Sequence, residues 1–446
     1  MVTGGCCLRA GEPVMGVASG YVRAAGGKLR VPLLRFPGAV GHATSRVNRL
    51  QNDDAYAIQM LRGGGGGARS GAVLYMSLFD GHGPRGKEMA QSLAAGLHVE
   101  LVEQRDRGLV RADLYSLLER YYKVIGGAYW QKLYRNRQQF YDRFVKNCHT
   151  KQEQVLYDSE NLGTRMLFDK WGNLIDKNSL LNEAQRLALY YTFLKFDLEK
   201  CCGFGSGEVH DKGEPSGGST ASSVFVSPWD EYNSGSCNDD AFFVEPRGLL
   251  KLVVTQVGDS RVLICDSSGL AHNLSTPHHV TSARESQRLD TKVREADLDA
   301  FGDARFLNNY ANTRSFGDLP AKIHGLSAEP DIFSYLVGNT RDLPYSERSK
   351  LQFGGDECFV ALVTDGVSDL LVDQEIVDLI TTTVNGRGLR TATPQLVAEE
   401  VIKFIVSIAP KHADNATCLV LRLSNWGNWP TLDRTGAARE ALLING

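Results

Sequence analysis

Two apolar runs, Ala72-Val-Leu-Tyr-Met-Ser-Leu-Phe79 and Phe359-Val-Ala-Leu-Val-Thr364, each stop at an Asp-Gly pair, Asp80-Gly81 and Asp365-Gly366. Short apolar runs rich in branched and aromatic residues read as buried strands, so each run delivers a carboxylate to the edge of a sheet. The first continues as Asp80-Gly81-His82-Gly83. That order sets a carboxylate and an imidazole beside a backbone carbonyl that glycine leaves unobstructed. Carboxylates and carbonyls suit hard divalent metals. The same residues also make an ordinary Asp-Gly turn with a surface histidine, and this stretch alone does not separate the two readings.

Around these runs the chain mixes strand and helix periods. Apolar residues at helical spacing predict helices over Lys87–Glu103, about Asp113–Phe144, Leu180–Leu198, Ala283–Leu289, Asp373–Thr383 and Pro394–Ala409. Strand patterns cover 31–36, 55–58, 219–226, 249–257, 261–265 and 416–423, with Gly258-Asp259-Ser260 reading as a tight hairpin turn between two of them. Gly63–Gly67, 201–218 and 228–240 read as loops, 320–330 as irregular, and the residues after 423 as a polar tail. The aromatic residues of 113–144 are expected to pack against the main body, because such side chains bury much area.

At 446 residues and 42% hydrophobic, the chain is long enough for one large domain or two ordinary ones. A net charge of only −3 gives no electrostatic reason to expect nucleic acid or an acidic membrane as partner. The nine cysteines are scattered without Cys-x-x-Cys spacing, so neither a disulfide framework nor a zinc site is indicated. No uninterrupted apolar run approaches the ~18 residues of a membrane span. Residues 1–50 hold one acid, Glu12, against Arg9, Arg23, Lys28, Arg30, Arg35, Arg46 and Arg49. This is the composition of an organelle-import presequence or of a flexible basic tail, and it predicts a mitochondrial location or, failing import, a cytoplasmic one.

Four acidic stations stand beside Gly or Asn at strand edges: Asp53-Asp54, Asp80, Asp365 and Asp414. Arg49 precedes the first by four and five residues. An arginine near paired acids makes a plain ion pair, or it grips phosphoryl oxygens in a fork while the acids face a cation. Singly, each acid is also a turn former or cap. If they converge, two divalent, oxygen-loving metals are the economical way to offset their repulsion.

Taken together, Arg49-x-x-x-Asp53-Asp54, Phe79-Asp-Gly-His-Gly83, Gly218-Ser-Thr-Ala221, Val257-Gly-Asp-Ser-Arg261, Thr313-Arg-Ser-Phe-Gly-Asp318, Thr364-Asp-Gly366 with Asp369, and Asp414-Asn415 resemble the ordered motif series of the metal-dependent protein phosphatases, the protein phosphatase 2C group. The resemblance runs from about residue 45 to 423. It implies an α+β fold, a four-layer α-β-β-α sandwich of two antiparallel sheets with helices on both outer faces, and a Mg or Mn pair at one sandwich edge. It further implies a catalytic domain over 31–424 with a helical insertion at about 113–177, preceded by a presequence or basic tail over 1–30 and followed by a tail over 425–446. Asp80 would bridge the metals, Asp365 and Asp414 would complete one shell, and Asp53 with the Gly81 carbonyl would serve the other. Asp54 would hold metal-bound water, Arg49 would bind the substrate phosphate, and His82 would protonate the leaving serine or threonine oxygen. Asp259 matches a position that in relatives helps hold a weak third metal. The implied activity is serine/threonine phosphatase on phosphorylated proteins by in-line attack of a metal-bridging water, with a monomer favoured; the alternative is a pseudophosphatase adaptor working through the insertion.

Three positions depart from the family pattern. Asp53 stands where Glu is usual, Pro277-His278 where Asp-His is common, and Ser368 where Trp is usual. The shorter Asp53 side chain predicts weaker or water-mediated metal binding. The insertion, the basic start and Gly41-His-Ala-Thr-Ser45 are similar to a fungal mitochondrial branch linked to pyruvate dehydrogenase dephosphorylation and mitophagy.

Overall fold

The computed structural model describes residues 19–25, 27–32, 38–61, 72–147, 179–205, 217–229, 249–289, 304–341, 343–349 and 351–430, with residue 243 and the paired stretches 156–157, 167–168 and 174–175. Its strands are β1 (Ser19–Ala25), β2 (Gly27–Pro32), β3 (Val40–Ser45), β4 (Ala55–Leu61), β5 (Val73–Phe79), β6 (Ala221–Pro228), β7 (Leu249–Val257), β8 (Arg261–Cys265), β9 (Ala271–Asn273), β10 (Asp331–Gly338), β11 (Phe359–Val363) and β12 (Ala416–Arg422). One sheet runs β10-β7-β6-β5-β4-β1-β2 and a second runs β9-β8-β11-β12-β3. All their pairings are antiparallel except β1 with β4.

Side-chain alternation stacks the two sheets. On β5, Leu74, Met76 and Leu78 enter a core that also takes Val360 and Leu362 of β11 and Leu419 and Leu421 of β12. Their neighbours Tyr75 and Phe79 face the other way, onto helices α1 (Gly86–Arg107), α2 (Arg111–Val124) and α4 (Glu183–Phe196). Phe359, Ala361 and Val363 of β11 likewise turn outward to α6 (Asp373–Arg387) and α7 (Pro394–Ile408). A strand buried on both faces reads as a continuous apolar run because both of its side-chain rows need cover. The result is the expected helix-sheet-sheet-helix order.

Several expectations are corrected. Gly258-Asp259-Ser260 is not a hairpin turn: β7 pairs with β6 and β10, β8 pairs with β9 and β11, and the three residues cross from one sheet to the other. The single helix expected over 113–144 breaks into α2, α3 (Ala128–Arg135) and a short turn at 137–145, because Gly126 and Gly127 adopt φ of +77° and +89°. Strand β2 starts earlier than the strand expected at 31–36, of which 33–36 lie outside the described residues, and β1 and β2 occupy part of the segment read as presequence or tail. Strands β3 and β10 were not among the expected elements. Residues 425–430, read as tail, pack Trp426 and Trp429 against Phe359. The loops expected at Gly63–Gly67 and, for the most part, 228–240 lie outside the described residues.

Candidate active site

The site forms where β5 and β11 end at the same edge of the sandwich. Beyond β5 the two-residue strand Gly81–His82 joins Gly218–Ser219, which in turn joins Phe316–Gly317. Asp80 is pinned by its backbone: its N–H donates to Thr220 Oγ1 at 3.3 Å and its carbonyl accepts the Thr220 N–H at 2.8 Å. Two of the glycines are required by contact. A Cβ on Gly81 would fall 2.3 Å from the Gly86 carbonyl oxygen and 2.7 Å from that of Asp53. One on Gly366 would fall 2.0 Å from the Asn415 carbonyl oxygen.

Asn415 ties the acidic stations together. Its Oδ1 accepts the Asp53 N–H at 2.7 Å, and its Nδ2 donates to the Gln51 carbonyl at 3.0 Å. Asp54 Oδ2 accepts from Thr417 Oγ1 at 2.6 Å and from Thr364 Oγ1 at 3.3 Å. The charges of Asp365 and Asp259 act on Asp80, and the charge of Asp259 acts on Asp365. Asp53, Asp54 and Asp414 complete the cluster through their mutual repulsion. The structure therefore brings together all the acids singled out in the sequence.

The titration shifts report that crowding. Burial, then the charges of Asp365, Asp54 and Asp259, raise the Asp80 carboxyl well above its ordinary range. Burial and the charges of Asp259 and Asp369 do the same to Asp365. Burial pushes Asp54 up to about 7 against the hydrogen bonds of Thr417 and Thr364. Asp53 is raised mainly by burial, with Lys87 and Arg49 pulling it down.

Would divalent cations fit here? Asp53, Asp54, Asp259 and Asp365 each keep a buried Oδ1 with no protein partner. Buried polar atoms are otherwise almost always paired, so four orphan carboxylate oxygens in one cluster fit a hard cation well. Among the described residues no three of these side chains already stand in chelating geometry. Asp414 is engaged elsewhere: its Oδ2 accepts from Arg49 at 2.7 Å and its Oδ1 accepts the Asn415 N–H at 2.8 Å. That ion pair is half open to solvent, with 53% of the Arg49 and 43% of the Asp414 side chain exposed, and is worth at most about 1 kcal/mol.

His82 sits at the mouth with 38% of its side chain exposed, its Nε2 2.7 Å from Asp318 Oδ2. Burial pulls the imidazole down, but Asp318, seconded by Asp259 and Asp365, outweighs it and the pKa lies above its ordinary value. Asp318 is shifted the opposite way: burial raises it, yet His82 and the Ser315 hydroxyl, 2.5 Å away, hold it low. Gly218 makes room for the pair, since a Cβ there would lie 2.2 Å from Asp318 Oδ2 and 2.5 Å from His82 Nε2.

Asp318, Asn415, Thr220 and Thr364 stand inside the motifs with no expected task, and Thr417 has no signal in the sequence. At Pro277-His278, His278 Nε2 lies 2.9 Å from Asp331 Oδ2 of β10 while its Nδ1 accepts the Gly258 N–H at 2.9 Å. Burial and Arg314 lower His278 to about 4, so it stands neutral beneath the crossover that carries Asp259.

An exposed arginine, a histidine of raised pKa and a crowd of buried carboxylates thus stand together at one edge of the two stacked sheets. Residues 208–415 match the family described as Protein phosphatase 2C. That stretch is just under half of the chain, and the family it resembles generally depends on Mg or Mn. The chain is 26% identical to Protein phosphatase 2C homolog 4 of Schizosaccharomyces pombe over 408 residues, covering 91% of this chain and 85% of that one. It is 29% identical to a Xenopus laevis protein named Protein phosphatase 1K, mitochondrial, over 192 residues, covering 43% and 44%. Among solved structures, serine-threonine phosphatase 2C from Toxoplasma gondii aligns over 91% of this chain and 99% of that one, with a TM-score of 0.47 and 13% identity.

Proposed function

We propose that this site hydrolyses phosphoserine and phosphothreonine in proteins by in-line attack of water on phosphorus, opposite the serine or threonine oxygen. The observation that carries the reading is the set of orphan carboxylate oxygens on Asp53, Asp54, Asp259 and Asp365 beside Arg49 and the His82–Asp318 pair. Asp80, Asp365, Asp414, Asp53 and the Gly81 carbonyl would hold two divalent cations, with Asp259 beside a weak third. When bound, such cations lower the pKa of a water and offset charge on the phosphoryl oxygens.

The chain's own groups do the rest. Arg49 leaves Asp414 to fork onto two phosphoryl oxygens, and the exposed, weak ion pair makes that exchange cheap. Asp54, held by two threonine hydroxyls, stands by to accept a proton from the attacking water. His82 donates a proton to the departing oxygen; because Asp318 occupies Nε2, the nitrogen presented to substrate is Nδ1. A good leaving group needs little protonation. His82→Ala should therefore slow a phosphoserine peptide by about a hundredfold and an activated aryl phosphate by far less. Equal losses in steady-state assays on the two substrates would remove His82 from the acid role.

We also infer a mitochondrial place of action, on phosphoproteins such as pyruvate dehydrogenase. The acid-poor, arginine-containing start and the likeness to a relative named as mitochondrial support it. Mass spectrometry of the protein from cells should find a new N-terminus downstream of residue 1 in the mitochondrial fraction; full-length protein confined to the cytosol would sink the inference.

A further inference from the structure

The His82–Asp318 pair depends on a loop, Thr313–Asp318, whose conformation is not self-evidently stable. Asp318 has φ of +49°, a left-handed backbone that a residue with a side chain adopts reluctantly. Gly317 beside it has φ of +72°. Something outside the loop has to impose that shape.

A charge pair with no exposure does so. Asp197, at the end of α4, and Lys322, in the short helix Leu319–Lys322, meet at 2.8 Å with both side chains 0% exposed. Asp197 Oδ1 accepts the Gly317 N–H at 2.8 Å, and Lys322 Nζ donates to the Ser315 carbonyl at 2.8 Å. The pair thus clamps the backbone on both sides of Phe316, one residue from Asp318. A buried ion pair is a poor source of stability compared with apolar residues of the same size. What it offers, and apolar residues lack, is a donor and an acceptor at fixed points for two buried backbone groups.

The clamp is held in turn by the two helices that the sequence marks as an insertion. The Tyr121 hydroxyl of α2 lies 2.7 Å from Asp197 Oδ2, and Trp130 of α3 donates its indole N–H to the Lys322 carbonyl at 2.7 Å. The Tyr121 and Trp130 rings stack at 4.2 Å. Gly127 lets α3 come this close, since a Cβ there would fall 2.1 Å from the Ile323 carbonyl oxygen. Contact therefore runs without a gap from α2 and α3, through Asp197 and Lys322, to the loop that aims Asp318 at His82.

We propose that Asp197 and Lys322, braced by Tyr121 and Trp130, are positioning residues for the His82–Asp318 pair, so that helices α2 and α3 set the efficiency of leaving-group protonation from outside the catalytic cleft. The proposal rests on the acid role given to His82. Neither residue touches substrate; each acts by fixing the direction from which Asp318 holds the imidazole.

Three variants test it in the full chain: Tyr121→Phe, Trp130→Phe, and the charge-neutral pair Asp197→Asn with Lys322→Met, which avoids stranding one buried charge. In each, kcat on a phosphoserine peptide should fall by about tenfold, part of what a general acid supplies. Turnover of an aryl phosphate, and KM for the peptide, should change by no more than about twofold. In a His82→Ala background the same substitutions should have no further selective effect, because the group they aim is gone. Parallel losses on both substrates, unchanged peptide turnover in all three variants, or a selective loss that persists without His82 would each overturn the proposal. Equal slowing of both substrates by His82→Ala alone would instead overturn the acid reading on which it rests.

Discussion

Asp80→Asn and, separately, Asp365→Asn are expected to lower turnover of a phosphopeptide by about a thousandfold, the scale on which loss of a preorganised charge-stabilising group is felt. The fold should survive both. In the metal-free protein both carboxyls sit above their ordinary range, pushed up by burial and by the neighbouring acids, so an uncharged asparagine in either position removes part of that crowding. Thermal stability at pH 7.5 without divalent ions should therefore stay equal to wild type or rise, because one member of a mutually repelling set has gone. Activity and stability move in opposite directions only if the acids are present for a cation rather than for the fold. Activity within tenfold of wild type in both variants, or wild-type activity that survives chelation of Mg and Mn, would end the metal-dependent reading of the site.

The second large effect is on stability as a function of pH. Asp54 titrates at about 7 in the metal-free fold against an ordinary 3.8, and Asp80 and Asp365 are shifted upward as well. A carboxyl whose folded pKa is raised favours the folded state below its unfolded pKa, and that contribution is lost as pH climbs through the folded value. For Asp54 the window is from about 4 to about 7. Divalent cations bind the ionised carboxylates, so their stabilisation must grow over the same window. A cation at a hundred times its Kd contributes about 2.7 kcal/mol, and large domains gain about 2–4 °C per kcal/mol. Melting curves should thus show Mn raising Tm by about 5–10 °C at pH 8 and by almost nothing at pH 5. His278 also loses stability on acidification, but it does so with and without metal, and the difference between the two curves removes its contribution. A Mn shift that is flat from pH 5 to 8 would show that these carboxylates are not where the ion binds.

Much of the architecture was readable because its signals are local. The residues of β5 and β11 are apolar on both rows, which already says that both faces of each sheet are covered. Asp80 and Asp365 close their strands at Asp-Gly, and Gly81 and Gly366 turn out to be demanded by backbone atoms of other segments a few ångströms away. The errors have a common cause as well. Gly258-Asp259-Ser260 has the composition of a hairpin turn, and nothing in three residues tells a turn within one sheet from a crossing between two. Strand β10 begins at Asp331, whose carboxylate meets Arg284, Arg314 and His278, partners that its own stretch of sequence does not announce. Trp426 and Trp429 lie among polar neighbours, so their burial against Phe359 had no period to announce it.

By itself, the sequence determined which residue types could do phosphate and cation chemistry, the class of fold that would carry them, and the order in which the chain supplies them. The residue types and their order are properties of neighbouring residues, and the class of fold came with the motif series that the chain resembles. Only the tertiary structure decided that the acids from five separate segments share one cluster, that Arg49 pairs with Asp414, and that His82 meets Asp318. Repulsion, desolvation and hydrogen bonding act through space over a few ångströms, and the partners here are separated by as many as 365 residues of chain. The brace of Asp197 and Lys322 is the extreme case: two ordinary charged residues in sequence, made into a clamp only by complete burial against one another.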